Sequence, residues 1–273
     1  MSRGERTLRY VLLVVVLLIT VGPFLWQLST SLKGAGEDIY TSTPNLLPQQ
    51  PTVHNYSRVA DAIPVFRYIG NSLLVAALTV GGNLVFSTLA GFAIARLRFR
   101  GRGAVLALFL ATLVLPGEVT IISQFVTIRD LGLADSLVGV ALPSMIAALN
   151  VLLLYNAFRA LPVDIDQAAV VDGANVWQRL TRVSLPAVRG TLAVVAIFSF
   201  IAAWDDFLWP LIVLTSPEKF TLTVGLQYLS GTFTQDQRVV AAGTMIAFLP
   251  IAVLFSLLQR YFFKGVEEGG VKG

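Results

Sequence analysis

Residues 159–189 have the sequence RALPVDIDQAAVVDGANVWQRLTRVSLPAVR, a polar stretch between two long apolar runs, 138–158 and 188–214. Each flanking run is long enough to cross a bilayer as a helix, which takes about 20 mostly apolar residues. The stretch itself carries acids and arginines, which are costly inside a membrane. We therefore expect it to be a surface connection between two membrane-spanning helices.

Two short helices with a tight turn are predicted within this stretch. Pro162 suits the first turn of a helix, and Asp164 and Asp166 lie where the helix dipole favours acids. The pair Asp172-Gly173 is typical of a turn or a helix stop. A second amphipathic helix then follows.

The second helix has an apolar side whose residues recur at helical spacing: Val176, Leu180 and Val183. Arg179 and Arg182 are predicted to face away from that side, and Pro186 to end the helix before the next span. Two interpretations fit this pattern. The stretch is either an amphipathic element held against lipid headgroups, or a docking element for a cytoplasmic partner, since the small residues beside the turn permit close approach.

The composition of the whole chain is that of a membrane protein. Only 13% of the 273 residues are charged, 55% are hydrophobic, and the mean hydropathy is +0.74. These values exclude a soluble enzyme, a secreted disulfide scaffold and a disordered chain. The absence of Cys excludes disulfides, thiol catalysis and zinc–thiolate sites, and the single His54 excludes a multi-histidine metal site.

Six apolar runs meet the length test for membrane-spanning helices: 10–29, 69–95, 104–125, 138–158, 188–214 and 239–263. The expected fold class is all-α, a polytopic membrane protein with six transmembrane helices in one domain, 1–273. The first run follows three arginines, as in a signal peptide. It is longer than an ordinary signal core, however, and no small-residue cleavage site follows it.

The basic residues predict the orientation. With the N-terminus in the cytoplasm, 14 of the 20 Lys and Arg residues lie on the cytoplasmic side and six lie outside. This satisfies the positive-inside rule, and the opposite orientation would violate it at nearly every loop. The net charge of +4 is thus explained by topology without nucleic acid.

Gln167-Ala168-Ala169, followed at the right spacing by Gly173 and then Leu185-Pro186, resembles the cytoplasmic loop of permeases of binding-protein-dependent ABC importers. Further stretches resemble the carbohydrate-importer permeases, specifically the smaller permease of maltose- and glycerol-3-phosphate-type systems: Asn71-Ser72-Leu73, Leu115-Pro116-Gly117, Trp204-Asp205-Asp206-Phe207-Leu208-Trp209-Pro210 and Gly269-Gly270-Val271-Lys272-Gly273. The resemblance covers nearly the whole chain.

The resemblance implies a type I ABC importer permease fold in a prokaryotic cytoplasmic (inner) membrane, with both termini in the cytoplasm. This chain would be a non-catalytic half of the pore with no cofactor of its own, and it shows no phosphate-binding loop motif. Its implied partners are a second, larger permease, two cytoplasmic ATPase subunits that bind ATP and Mg, an external solute-binding protein and membrane lipid.

The resemblance also assigns ATPase coupling to a set of residues in the 159–189 loop: Asp166, Gln167, Ala168, Ala169, Asp172, Gly173, Ala174 and Pro186. One departure concerns the acid that begins the family's motif, which is Gln167 here. Gln keeps the size and hydrogen bonding of Glu and loses its charge. Asp166 is expected to compensate for that loss.

Some polar and aromatic residues at membrane depth are candidate pore-lining residues: Glu118, Trp204, Asp205 and Asp206. Glu118 follows a predicted helix break at Pro116-Gly117, and Asn83, Asn150 and Gln124 are milder cases. These groups either line a pore for a sugar, or pack against a partner permease and cap kinked helices. The acidic C-terminal tail, Glu267-Glu268, is either a disordered end or a contact with the ATPase.

Two other classes of protein remain as alternatives. A secondary transporter would show an inverted repeat around a site at the bilayer midplane, and the two halves of the chain show no such similarity. A membrane-embedded enzyme needs a nucleophile–base or metal constellation, which this composition does not supply. A gene for a second permease beside this one would favour the importer.

Overall fold

The computed structural model describes residues 3–39 and 45–270, and within those ranges every regular element is helical. The predicted all-α fold class is confirmed. Three helices are long and apolar enough to cross a membrane, and the number of spans rises to six if each of three bent helix pairs counts as one. Val271, Lys272 and Gly273 of the predicted C-terminal stretch lie outside the described residues.

The chain divides into two compact units, one of residues 1–66 and 224–250 and the other of residues 67–223 and 251–273. The α-helices are α1 (Arg3–Ser31), α2 (His54–Ala62), α3 (Val65–Gly82), α4 (Thr88–Arg96), α5 (Arg102–Thr112), α6 (Ile121–Asp130), α7 (Leu137–Ala141), α8 (Ala148–Ala160), α9 (Val163–Val171), α10 (Val176–Gln178), α11 (Leu185–Ala187), α12 (Arg189–Asp205), α13 (Leu208–Val213), α14 (Leu222–Tyr228) and α15 (Gln237–Gly270). Short 3₁₀ segments are Gly117–Thr120, Leu142–Met145 and Pro217–Lys219, and π-helical segments are Asn83–Ser87, Arg179–Ser184 and Leu229–Phe233.

The first unit is held together at the end of α1 by buried polar contacts. The Asn55 amide donates to the carbonyl oxygens of Ser31 and Lys33, each at 2.9 Å. Lys33 is fully buried, and its ammonium lies 4.5 Å from the ring centroid of Trp26, a cation–π arrangement. An ion pair between Arg58 and Asp236, at 2.7 Å, joins α2 to the start of α15. Helix α2 is therefore held to the end of α1 and to the start of α15 by specific polar contacts.

The second unit contains the bent helices, and the sharpest bend follows the predicted break. Arg102–Thr112 and Gly117–Asp130 meet at 102°. Pro116 lies in the break, where its ring and its missing N–H prevent the helix from continuing. The break predicted at Pro116-Gly117 is thus confirmed, and the run 104–125 is bent rather than straight. A second bend, of 41°, separates Leu137–Met145 from Ala148–Ala160.

The core of the second unit joins α4, α8 and α12. Phe92 and Phe158 are both buried and pack edge to face, with ring centroids 5.6 Å apart. The same apolar cluster contains Leu154, Val188 and Val195, together with Leu180 of the π-helical segment Arg179–Ser184.

Small residues allow the helices of the second unit to approach closely, as expected for membrane helices. A Cβ atom added at Gly91 would lie 3.0 Å from Leu154 Cβ, and one added at Gly82 would lie 2.5 Å from Met145 Cβ. A Cβ atom at the neighbouring Gly81 would meet nothing within 4 Å. Close packing therefore requires glycine at Gly82 and Gly91 but not at Gly81.

We expect Gly82→Ala to destabilise the protein by about 1–3 kcal/mol, because the added methyl group overpacks the contact with Met145. Gly81→Ala is the matched control, because it makes the same change one residue earlier in open space. Thermal unfolding in detergent compares the two variants. Equal stabilities would contradict the packing role of Gly82.

A charged clamp joins two loops of the second unit at Asp135, which adopts a positive φ of 52°. Its Oδ1 accepts from the backbone N–H groups of Thr215 and Ser216, and its Oδ2 from the Ser216 hydroxyl and the Lys219 ammonium. These donors, the Ser216 hydroxyl first and then Lys219, hold the pKa of Asp135 well below its ordinary value. The loop before α7 is thereby fixed to the loop after α13.

We expect Asp135→Asn to speed amide hydrogen exchange at Thr215 and Ser216 at neutral pH. Asn tolerates positive φ and keeps Oδ1, but its Nδ2 cannot accept from Ser216 or Lys219. Because the folded pKa is depressed, the stabilisation is present above the unfolded pKa of about 3.8 and is lost as the pH falls towards the folded pKa. The wild-type protection factors should therefore fall only in strong acid. The exposed Asp130→Asn serves as the control, and equal effects of the two changes would contradict the clamp.

Candidate functional site

The predicted pair of short helices is present, and we call residues 163–187 the helical hairpin. Helix α9 begins directly after Pro162, which therefore precedes its first turn, and Asp164 is exposed in that turn. Helix α10 and the π-helical segment Arg179–Ser184 form the second arm, which continues through α11. Pro186 lies inside α11 rather than ending it, and the chain bends by 82° just afterwards, at Val188.

The turn of the hairpin requires glycine for its backbone conformation. Gly173 has φ +81°, its N–H donates to Val170 O at 3.0 Å, and the N–H of Ala174 donates to Ala169 O at 2.9 Å. These two bonds form a Schellman motif with Gly173 in the left-handed position. A Cβ atom at Gly173 would meet nothing within 4 Å, so the requirement comes from φ and not from space.

The second arm begins with a capping box that the sequence analysis missed. The Asn175 side chain accepts from the Gln178 N–H, and the Gln178 side chain accepts from the Asn175 N–H, both at 2.9 Å. An Asn followed three residues later by Gln is the local signal that predicts it. The turn therefore has a defined structure on both sides of Gly173.

An ion pair joins the two arms of the hairpin. Arg179 Nε donates to Asp166 Oδ1 at 2.9 Å, and its Nη2 donates to Oδ2, which makes a bidentate pair. The two side chains are 14% and 16% exposed. The predicted polar side of the second arm is therefore not wholly open to solvent, because the charge of Arg179 is neutralised across the hairpin. The geometry also gives Asp166 a role other than replacing the acid missing at Gln167.

The hairpin is anchored in the membrane-spanning core of its unit. Leu180 is 3% exposed and belongs to the cluster that contains Phe158 and Val195. Arg96 at the end of α4 donates to Leu161 O at 2.7 Å, just before α9. A force on the hairpin would therefore act directly on α4, α8 and α12.

The remaining surface of the hairpin is exposed and largely apolar. Gln167, Ala168 and Asp172 are exposed, while Ala169 and Ala174 are half-buried. The large apolar side chains that face outward are Val163, Ile165, Val170, Val171, Val176 and Trp177. Such a patch marks a surface that contacts a partner or a membrane. Trp177, the largest exposed apolar side chain of the set, is not among the residues predicted to couple to the ATPase.

The candidate pore-lining residues lie at two helix breaks of the second unit. Glu118 is exposed in the 3₁₀ segment that follows the 102° bend. Asp205 ends α12 and is exposed, whereas Trp204 is 2% exposed and stacks on Phe200 at 5.6 Å. The structure therefore buries Trp204 in packing and leaves the two acids accessible.

Asp206 lies between α12 and α13 and caps the break. Its Oδ1 faces the N–H of Trp209 at 3.4 Å, and its carbonyl oxygen accepts from the Thr223 hydroxyl at 2.7 Å. Trp209 itself donates through Nε1 to Val140 O at 3.1 Å. Of the two interpretations of Asp206, the geometry favours capping of a broken helix.

Comparison with known proteins identifies relatives along the whole chain. A family described as "Binding-protein-dependent transport system inner membrane component" matches residues 84–268. The inner membrane ABC transporter permease protein YcjP of Escherichia coli (strain K12) is 33% identical, and the match covers all of both chains. The sulfoquinovosyl glycerol transport system permease protein SmoH of Agrobacterium fabrum is 30% identical over 98% of this chain and 94% of its own length.

Solved structures agree on the fold. A chain of a bacterial ABC transporter involved in import of the acidic polysaccharide alginate aligns with a TM-score of 0.85 at 24% identity. The alignment covers 96% of this chain and 99% of that chain. The family match over 84–268, the full-length relatives and the shared fold show that this chain belongs to the binding-protein-dependent transport system inner membrane components, the permeases of ABC transporters.

Proposed function

We propose that this chain is the smaller permease subunit of a carbohydrate importer and forms half of its translocation pathway. Relatives named as permeases for arabino-oligosaccharides, galacto-oligosaccharides and diacetylchitobiose support the substrate class. The partners are a second, larger permease, two ATPase subunits that hold ATP and Mg, and an external solute-binding protein. The chain itself contributes no cofactor and no catalytic residue.

The single observation that carries this proposal is the two-sided character of the hairpin. One surface exposes large apolar side chains, and the other packs into the core of the second unit. An exposed Trp177 and Val171 offer a surface to an ATPase, while Leu180 packs among α4, α8 and α12. Closure of the ATPase subunits on ATP then moves the hairpin, and the hairpin moves the helices. By linkage, whatever favours the outward-facing state must equally favour the ATP-closed state.

The proposal includes the orientation of the chain in a prokaryotic cytoplasmic membrane. The hairpin must face the cytoplasm to meet the ATPases, which agrees with the excess of basic residues assigned to that side. Both termini then also lie in the cytoplasm. Cysteine labelling of a Ser2→Cys variant in sealed cells tests this, since an impermeant reagent should fail to react.

The decisive experiment is co-purification after co-expression with the neighbouring transport genes. We expect a stable complex of this chain, a second permease and two ATPase subunits, with ATP hydrolysis stimulated by the solute-binding protein. A chain that moves a sugar alone in liposomes would be a secondary transporter and would overturn the proposal.

A further inference from the structure

The short connection between α4 and α5, residues 97–101, exposes two arginines, and we call it the basic loop. Arg98 and Arg100 are both exposed, and neither forms an ion pair with any residue that the structure describes. The sequence contains no Asp or Glu between Asp61 and Glu118. The charges of these two arginines are therefore not neutralised within their own segment of the chain.

The arginines on either side of the basic loop have partners within the chain. Arg96 Nη2 donates to Leu161 O at 2.7 Å, and Arg102 Nη2 donates to Ala95 O at 3.4 Å. Both acceptors are carbonyl oxygens at the C-terminal end of a helix, where the helix itself supplies no donor. These two arginines therefore stabilise helix ends, whereas the two arginines of the basic loop are left for a partner outside the chain.

The basic loop lies at a surface of the membrane. It follows the 32-residue helical stretch Val65–Arg96, which is long and apolar enough to cross a bilayer, and it precedes another stretch that passes this test only as a bent pair. It also lies beside the base of the hairpin, because Leu97 packs against the apolar cluster that contains Leu180. Charged residues that connect two spans in this way lie at the level of the lipid headgroups.

Positive charge dominates this side of the second unit. Residues 96–102 and 159–189 together contain eight arginines and three acids, and one of these acids, Asp166, is already paired with Arg179. Arg182 and Arg189 are also exposed. A cluster of arginines beside a membrane helix attracts anionic lipid headgroups. An anion at this surface is therefore attracted, and a cation is repelled.

Apolar surface next to the basic loop favours a ligand that has acyl chains. Phe99 lies between the two arginines and is 42% exposed, and aromatic side chains are enriched at the membrane interface. Helix α5 begins just after the loop and buries none of its residues, and its Leu108 is 66% exposed. A phospholipid can place its phosphate on the arginines and its chains along α5. A free phosphate ion matches the charges alone.

We propose that the basic loop binds the headgroup of a phospholipid with a net negative charge, such as phosphatidylglycerol. A guanidinium group donates two parallel hydrogen bonds to phosphate oxygens, which suits Arg98 and Arg100 to this headgroup. Phosphatidylglycerol carries its phosphate without a cationic amine, whereas phosphatidylcholine also carries a quaternary ammonium group that arginines repel. The inference goes beyond the proposed carbohydrate import and does not depend on which solute the importer carries.

The test measures the binding of phosphatidylglycerol to the full-length chain in detergent. Native mass spectrometry during a lipid titration gives the Kd of the first lipid bound. The variant is Arg98→Gln combined with Arg100→Gln. Both side chains are exposed, and the hydrogen bonds of Arg96 and Arg102 to helix ends are left in place, so the variant should fold.

The matched control is Arg67→Gln combined with Arg129→Gln. Both of these arginines are exposed, so the control removes the same two charges from the surface. Arg67 lies at the far end of the stretch that leads into the basic loop, and Arg129 lies at the far end of the bent pair that follows it. The control therefore separates a site at the basic loop from attraction by the net charge of the chain.

We expect the wild-type chain to bind phosphatidylglycerol about tenfold more tightly than phosphatidylcholine with the same acyl chains. Arg98→Gln with Arg100→Gln should weaken the binding of phosphatidylglycerol about 30-fold, which corresponds to about 2 kcal/mol for two arginines near the membrane surface. The control should not change it. Unchanged binding by the loop variant overturns the proposal, and so does equal weakening by both variants.

Competition distinguishes a lipid from other anions. Glycerophosphoglycerol, which is the headgroup without its chains, and inorganic phosphate should not displace phosphatidylglycerol at equal concentration. Displacement by either would mean that the basic loop binds a free anion, and the lipid proposal would be wrong. It would also be wrong if the loop variant kept its lipid but lost the ATPase subunits during co-purification, since the arginines would then contact an acidic protein surface.

Discussion

Gly173→Val should abolish about four-fifths or more of sugar uptake while the protein still inserts into the membrane. Gly173 has φ +81°, a conformation in which a β-branched residue is severely strained. Relief of that strain breaks the Schellman bonds to Val170 and Ala169 and changes the angle between the arms of the hairpin. A coupling free energy of 1–3 kcal/mol, typical between linked sites, corresponds to a loss of about 5- to 150-fold.

Gly101 provides the control for this experiment. It has φ +84°, a Cβ atom there would also meet nothing within 4 Å, and it precedes α5 in a different loop. Gly101→Val therefore carries the same backbone strain without touching the hairpin. Sugar uptake and ATP hydrolysis are measured in proteoliposomes, and we expect Gly173→Val to lose much more uptake than Gly101→Val. Equal uptake by both would mean that backbone strain, and not coupling through the hairpin, explains any loss.

The features predicted from the sequence are those with a local signal. Runs of apolar residues predict the helices, Pro116-Gly117 predicts the sharpest bend, and Asp172-Gly173 predicts the turn of the hairpin. Each is set by backbone chemistry within a few residues, since proline lacks an N–H and glycine accepts positive φ. The capping box at Asn175 also has such a local signal, an Asn followed three residues later by Gln.

The features that could not be predicted depend on residues far apart in the chain. Asp135 and Lys219 are separated by 84 positions, and no local pattern links them. The same is true of the hydrogen bond between Asn83 and Asn150, which are 67 positions apart. The π-helical segment at Asn83–Ser87 has no distinctive residue pattern either. Polarity alone could therefore indicate the candidate pore-lining residues, but not the contacts that they make.

The ion pair between Asp166 and Arg179 could not be predicted from the periodicity of one helix. Helical periodicity places Arg179 on the side away from Leu180, which is correct for an isolated helix. The turn at Gly173 brings α9 alongside, and that side then faces Asp166. The sequence does contain one signal for this ion pair. The two residues carry opposite charges and lie 13 positions apart, on either side of a predicted turn.

Asp166→Ala should separate the two arms of the hairpin and lower uptake severalfold. Removing one partner of a fully buried ion pair costs about 3–5 kcal/mol, and this pair retains some exposure, so we expect a local cost of about 1–3 kcal/mol. Arg179 is then left without its carboxylate in a site that is 14% exposed. Amide hydrogen exchange should rise across residues 163–187 and not in α4 or α8.

Asp164→Ala is the matched control, because Asp164 is an exposed acid in the first turn of the same helix. It removes the same charge and a similar interaction with the helix dipole but no ion pair. The exchanged pair, Asp166→Arg with Arg179→Asp, should recover part of the lost protection, which a simple loss of negative charge cannot explain. If the exchanged pair is as impaired as Asp166→Ala alone, the carboxylate acts on something other than Arg179, and the hairpin is held at its angle by Gly173 and Leu180 without the ion pair.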